Sequence, residues 1–162
     1  RVWCFPHHEL KGLEYDGGTG QLILESVVQP LFELAKKLPS PAPPHNHQLL
    51  LIVITDEDMR SRVMDWRFVL STGFTDTLGI VSTARLKLAL PLTEKEANQR
   101  ILERTQKLAL RLIGLHVFKQ SRDDDRKSLL GPTLRGIDDL DSAENKLRFD
   151  PLQMAQKMRS GS

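Results

Sequence analysis

Five histidines are the first residues able to do chemistry: His7, His8, His45, His47 and His116. Zinc takes three or four convergent nitrogen, sulfur or oxygen ligands, so paired histidines at short spacing matter. His7 and His8 are adjacent, with Glu9 beside them, and His45 and His47 flank Asn46 in a proline-rich stretch. On neighbouring strands the two pairs would meet; in loops they would not. The tripeptide His-Asn-His is not by itself a nuclease motif. Cys4 is a nucleophile only if a histidine activates it, so a structural cysteine is the simpler reading. Asp56 and Asp58 follow an apolar run, and strand ends in α/β sheets often carry sites. They could equally cap the next segment or pair with Arg60 or Arg85.

Other motifs fail on their chemistry. "RDDDR" (122–126) and "DDLD" (138–141) lack the glycine and glutamate spacing of a calcium loop. They read as solvated charge, with acids near the start of a short helix. "GGTG" (17–20) is followed by no Lys-Ser/Thr pair, so it is no phosphate loop. Ser82 in "VSTAR" lacks the glycines of a nucleophile elbow.

Composition narrows the partners. With 23 basic and 21 acidic residues the net charge is +2, too small for broad attraction to nucleic acid or anionic membranes. One cysteine excludes a disulfide framework and a multi-cysteine zinc site. With no signal-peptide pattern, a cytoplasmic setting is expected. No apolar run approaches the roughly 20 residues of a membrane span. The chain starts at Arg1 without a Met and ends in "SGS", so a trimmed start is expected. Residues 1–150 read as one domain, and 151–162 as a short helix or flexible tail.

The elements that would position these groups follow from periodicity. A short strand is expected before Pro6 and a turn at "YDGGTG" (15–20). Residues 21–38 repeat apolar side chains at helical spacing, with Pro30 expected to kink or divide the helix. "PSPAPPHNH" (39–47) is a stiff connection. "QLLLIVIT" (48–55) is apolar throughout, which predicts a central strand covered on both faces. "WRFVLSTG" (66–73) is a second strand or hairpin arm. "IVSTARLKL" (80–88) is a third, with Ile80, Ser82, Ala84 and Leu86 on one face. Residues 93–118 predict a long helix. Thr93 and Glu96 form its capping box, and Leu92 is placed as a staple. Ala97, Ile101, Leu108, Leu112 and Leu115 form its apolar stripe, widened by Leu102, Ala109, Ile113 and His116.

The order of "ITDEDM" (54–59), "FVLSTG" (68–73), "GIVSTARL" (79–86) and "ERTQKLALRLIGLH" (103–116) resembles the archaemetzincins, zinc-dependent peptidases of the metzincin group. The resemblance runs from about Leu49 to Asp141. It implies an α+β, α/β-like fold: a zincin-like mixed sheet of about four strands packed against two long helices. In the family a His-Glu-x-x-His helix supplies two zinc ligands one turn apart and a general base. Aligned on Gly114, the first ligand falls on Arg111, the base on Leu112 and the second ligand on Leu115. Phe118 and Ser121 replace the later glycine and third histidine, and Leu130 replaces the methionine of the family's turn. His116 is one residue out of register, about 100° around the helix.

The resemblance therefore implies a scaffold without its catalytic groups and without a cofactor. Arg111 is expected to pair with a carboxylate, Asp56, Asp58 or Asp138, and His116 to be structural. The expected function is binding a peptide or protein partner along an edge formed by Gly79, Ile80, Val81, Ser82 and Thr83, or serving as a structural module of a larger assembly. The alternative is an active zinc hydrolase that draws relocated ligands from His7, His8, His45, His47 or His116 with Asp56 or Asp58.

Overall fold

A computed structural model describes residues 10–38, 50–87, 93–122, 124–125, 127–131, 134 and 136–144. The turn at 15–20 is closed by Asp16, whose carboxylate accepts hydrogen bonds from Gly18 N, Thr19 N and Thr19 Oγ1. It delivers the chain into β1 (Leu22–Ile23) and directly into helix α1 (Leu24–Lys37). Pro30 lies inside α1 without dividing it. The helix buries Leu24, Val27, Leu31 and Leu34 on one stripe.

The strands are β2 (Leu51–Thr55), β3 (Met59–Ser61), β4 (Trp66–Val69), β5 (Ser71–Thr75) and β6 (Leu78–Ser82). They form two three-stranded sheets, in the orders β1-β3-β4 and β2-β6-β5. The fold is thus mixed α+β, with six strands in two sheets where the sequence suggested about four in one. Residues 66–75 account for much of the difference. They form two strands, broken at Leu70, that pair into different sheets.

β6 is the central strand. It pairs parallel with β2 and antiparallel with β5, and all five of its residues are buried. Its alternation serves two cores. Leu78 and Ile80 pack with α1, while Val81 packs with Leu86, Leu108, Leu112 and Leu140. The expected face of Ile80, Ser82, Ala84 and Leu86 does not form, because the strand ends at Ser82. The turn that follows swings Leu86 into the core on Val81's side.

β2, read from sequence as central, is an end strand among the described residues, and its Ile54 is 59% exposed. β6 returns from β5 through a tight turn, so β5 takes the position beside it. An apolar run cannot distinguish a strand with two neighbours from a strand with one.

Helix α2 (Glu94–Leu112) starts at the expected capping box, with Thr93 Oγ1 accepting from Glu96 N and Thr93 N donating to the Glu96 carboxylate. It does not continue to Phe118 as an α-helix. Residues Ile113–Val117 widen into a π-helical turn around the buried Gly114, and Phe118 N reaches back to Ile113 O. Leu102, assigned to the buried stripe, is 51% exposed. The buried face is instead filled by Arg104, Thr105, Leu108, Arg111 and Leu112. A short helix α3 (Ile137–Ser142) packs on α2. No described helix is long and apolar enough to cross a membrane. Cys4, His7, His8, the 39–47 connection with His45 and His47, Leu92 and the 151–162 segment lie outside the described residues.

Candidate functional site

The end of α2 and the β4–β5 segment enclose a cleft of about 580 Å³. Trp66 to Gly73 form one wall. Arg111, Leu112, Leu115 and His116 form the other, with Arg122 and Leu134 at its margin. Among the described residues β5 is an end strand, and Ser71, Thr72 and Gly73 line the cleft.

Arg111 is 6% exposed. Its guanidinium donates to Leu129 O at 2.6 Å and Gly131 O at 2.9 Å. Two of its partners are thus main-chain carbonyls; the sequence reading named Asp56, Asp58 or Asp138. The reason is local. Residues 128–131 form a tight turn, with Gly131 N bonded to Ser128 O and Leu130 N to Ser128 Oγ. The turn aims two carbonyls at the helix, and a guanidinium fork matches a pair of oxygens. A β-carbon on Gly131 would lie 2.5 Å from Asp125 O, so the turn closes only on glycine. Leu129 and Leu130 are both buried.

Leu112 reaches across to β6, where a β-carbon on Gly79 would sit 3.0 Å from Leu112 Cδ1. His116 lies over Gly73 of β5. A β-carbon there would stand 2.0 Å from Nε2, so the ring occupies the volume a side chain would need. Burial pushes the His116 pKa below its ordinary 6.5; Asp76 pulls it up, and Lys119 and Arg122 push it down further. Its Nδ1 is 4.0 Å from Asp76, whose carboxylate is bound by Lys119.

Asp58 is held by Arg85 in a two-pronged pair at 2.7 and 2.8 Å, and also accepts from Gln21 Nε2. Arg85 in turn lies 4.9 Å above the Phe68 ring. Asp58 thereby joins β1, β3 and the turn after β6, away from the cleft lining. Asp56 is exposed at the end of β2.

The peptide-binding edge expected at Gly79–Thr83 is not an edge. Gly79 to Ser82 have strand neighbours on both sides, and Thr83 N and Oγ1 are bound to Thr55 O. A strand paired on both sides has no main-chain groups left to offer a peptide. The edge that borders the cleft belongs to β5. Sequence reasoning singled out none of Met64, Trp66, Phe68, Gly73 or Arg122 as lining the cleft. One signal was present: a glycine within a strand often marks a close approach by another group.

A zinc ion does not fit the residues at the helix end. A buried guanidinium and two leucines supply no donor, and a fixed cation repels a second one. No group of three or more His, Cys, Asp or Glu able to hold a metal occurs among the described residues.

No protein-family profile and no curated protein sequence matches the chain. Solved structures do match its fold. A zinc-dependent peptidase from Methanocorpusculum labreanum superposes with a TM-score of 0.66 at 21% identity, over 88% of this chain and 76% of that one. Archaemetzincin from Methanopyrus kandleri gives 0.61 at 18%, over 96% and 71%. Archaemetzincin from Archaeoglobus fulgidus, complexed with malonate, gives 0.56 at 18%, over 88% and 73%. The chain shares the fold of these zinc peptidases.

Proposed function

We propose that this is a catalytically inactive member of the archaemetzincin type, a zincin-like module that binds a peptide or protein partner in its cleft and uses no cofactor. One observation carries the reading: among the described residues the cleft is bordered by an end strand, while its helical wall presents Arg111, Leu112 and Leu115, none of them a metal donor. An extended peptide can pair with such an edge through main-chain hydrogen bonds, without a metal. The proposed edge is β5. The proposed setting is the cytoplasm, where Cys4 stays reduced.

The test combines zinc content with proteolysis, both on the full chain. The protein is purified without an affinity tag, incubated with zinc, desalted and assayed by plasma mass spectrometry, then mixed with fluorescein-labelled casein. Zinc well below one equivalent and no cleavage are expected. One zinc per chain with chelator-sensitive cleavage would overturn the proposal. It would favour an active metallopeptidase with non-standard ligands, and His7, His8, His45 and His47 would be replaced first.

A further inference from the structure

We propose that the cleft selects an extended peptide carrying acidic side chains and one large apolar side chain. The acids face Arg67 and Arg122, and the apolar group seats against Met64 and Trp66. The inference rests on the reading of the cleft as a peptide groove.

Charge is the first observation. The described lining holds three arginines, Arg67, Arg111 and Arg122, against one carboxylate, Asp65. Arg111 is committed to the carbonyls of Leu129 and Gly131, whereas Arg67 and Arg122 are exposed. Whole-chain charge is nearly balanced, so this is a local concentration of cations. Such a lining attracts acidic segments and repels basic ones.

The second observation is the hairpin tip between β3 and β4. Val63, Met64 and Trp66 are 79%, 56% and 39% exposed. They are large apolar side chains on a turn that is firmly held. Glu25 accepts from Ser61 Oγ, from Val63 N at 3.1 Å and from Arg62 N at 3.3 Å. Met64 N donates to Ser61 Oγ at 3.0 Å. Exposed apolar groups in a preorganised turn lose little freedom on binding, which makes them efficient anchors. Met64 and Trp66 both line the cleft, beside the β5 edge. Cation, anchor and strand edge therefore address one extended segment.

The test is panning of a phage-displayed random nonapeptide library on the full chain, followed by fluorescence anisotropy with the enriched peptides. Enrichment in Asp and Glu together with a Phe, Leu, Met or Trp position is expected. The charge-reversed variant Arg67→Glu/Arg122→Glu should weaken binding at least tenfold, and Met64→Ser severalfold. All three side chains are exposed, so the fold should tolerate the changes, with far-UV circular dichroism as the check. Enriched peptides without acidic bias, or acidic peptides that bind both proteins equally, overturn this inference and leave the groove reading standing. No enrichment above an unrelated control protein overturns the groove reading and this inference with it.

Discussion

Gly73 and His116 occupy one volume between them. The imidazole fills the space above the glycine, so Gly73→Ala must displace either the ring or the strand. Overpacking of this kind costs about 1–3 kcal/mol. The pair should be coupled: in chemical denaturation, His116→Ala should relieve most of the Gly73→Ala penalty. Additive losses would mean that the ring moves away freely. His116 also makes stability depend on pH. Burial lowers its pKa, so the unfolded chain binds the proton more tightly. Stability is therefore full above the ordinary value of 6.5 and falls as pH drops through it toward the lower folded value. Urea midpoints measured between pH 8 and pH 5 should decline for the native chain and decline less for His116→Gln. The groups facing the ring are Asp76, Lys119 and Arg122. None of this could be read from the string "IGLHV". It depends on a glycine about forty residues earlier, brought opposite by sheet pairing.

At the scale of elements, α2 was the most legible part of the chain and also the part most incompletely read. The capping box depends only on local spacing, so Thr93 and Glu96 announced it; Thr93→Ala should cost about 1 kcal/mol in thermal unfolding. Arg104 and Arg111 were a different matter. Both lie on the buried face, where a hydropathy pattern counts them as interruptions. Arg104 is 1% exposed, paired with Asp141 and bonded to Leu86 O at 2.7 Å. Lys107 adds hydrogen bonds to the carbonyls of Leu140, Asp141 and Ala143 at the end of α3. Two cations thus dock one helix against the other. Arg104→Met removes the pair but retains the aliphatic stem, and should destabilise by about 2–4 kcal/mol. A change below 0.5 kcal/mol would mean that packing alone joins the helices. The partners of Arg104 come from 18 and 37 residues away, a separation no local pattern carries.

For the molecule as a whole, β6 separates two cores, and its order relative to β2 was the main topological misreading. The apolar run marked β2 as the central strand and the alternation gave β6 one distinct face, but only pairing decides which has two neighbours. The same pairing moved the candidate peptide edge from β6 to β5. Acid should unfold the assembly through its carboxylates. Hydrogen bonding by Arg104 holds Asp141 below its ordinary 3.8. Burial raises Glu25, but hydrogen bonds from Ser61, Val63 and Arg62 outweigh it and hold the group below 4.5. Groups with depressed folded values stabilise above their unfolded pKa and lose that contribution as pH falls. A second drop in stability below about pH 4.5 is expected, distinct from the histidine step. Its absence from a pH series of denaturation midpoints would remove these contacts from the account.

The grip of Arg111 on the 128–131 turn also determines how readily the helix end could be redesigned to hold a metal. Installing metal chemistry at the helix end would begin with Arg111→His, and that first step would leave the carbonyls of Leu129 and Gly131 without their donor. Adding Leu112→Glu would then bring a charge against the close contact at Gly79. Each step toward a working metal site lowers stability before any ligand set is complete. A designer wishing to build a metal site there would have to rebuild the turn first and the helix second.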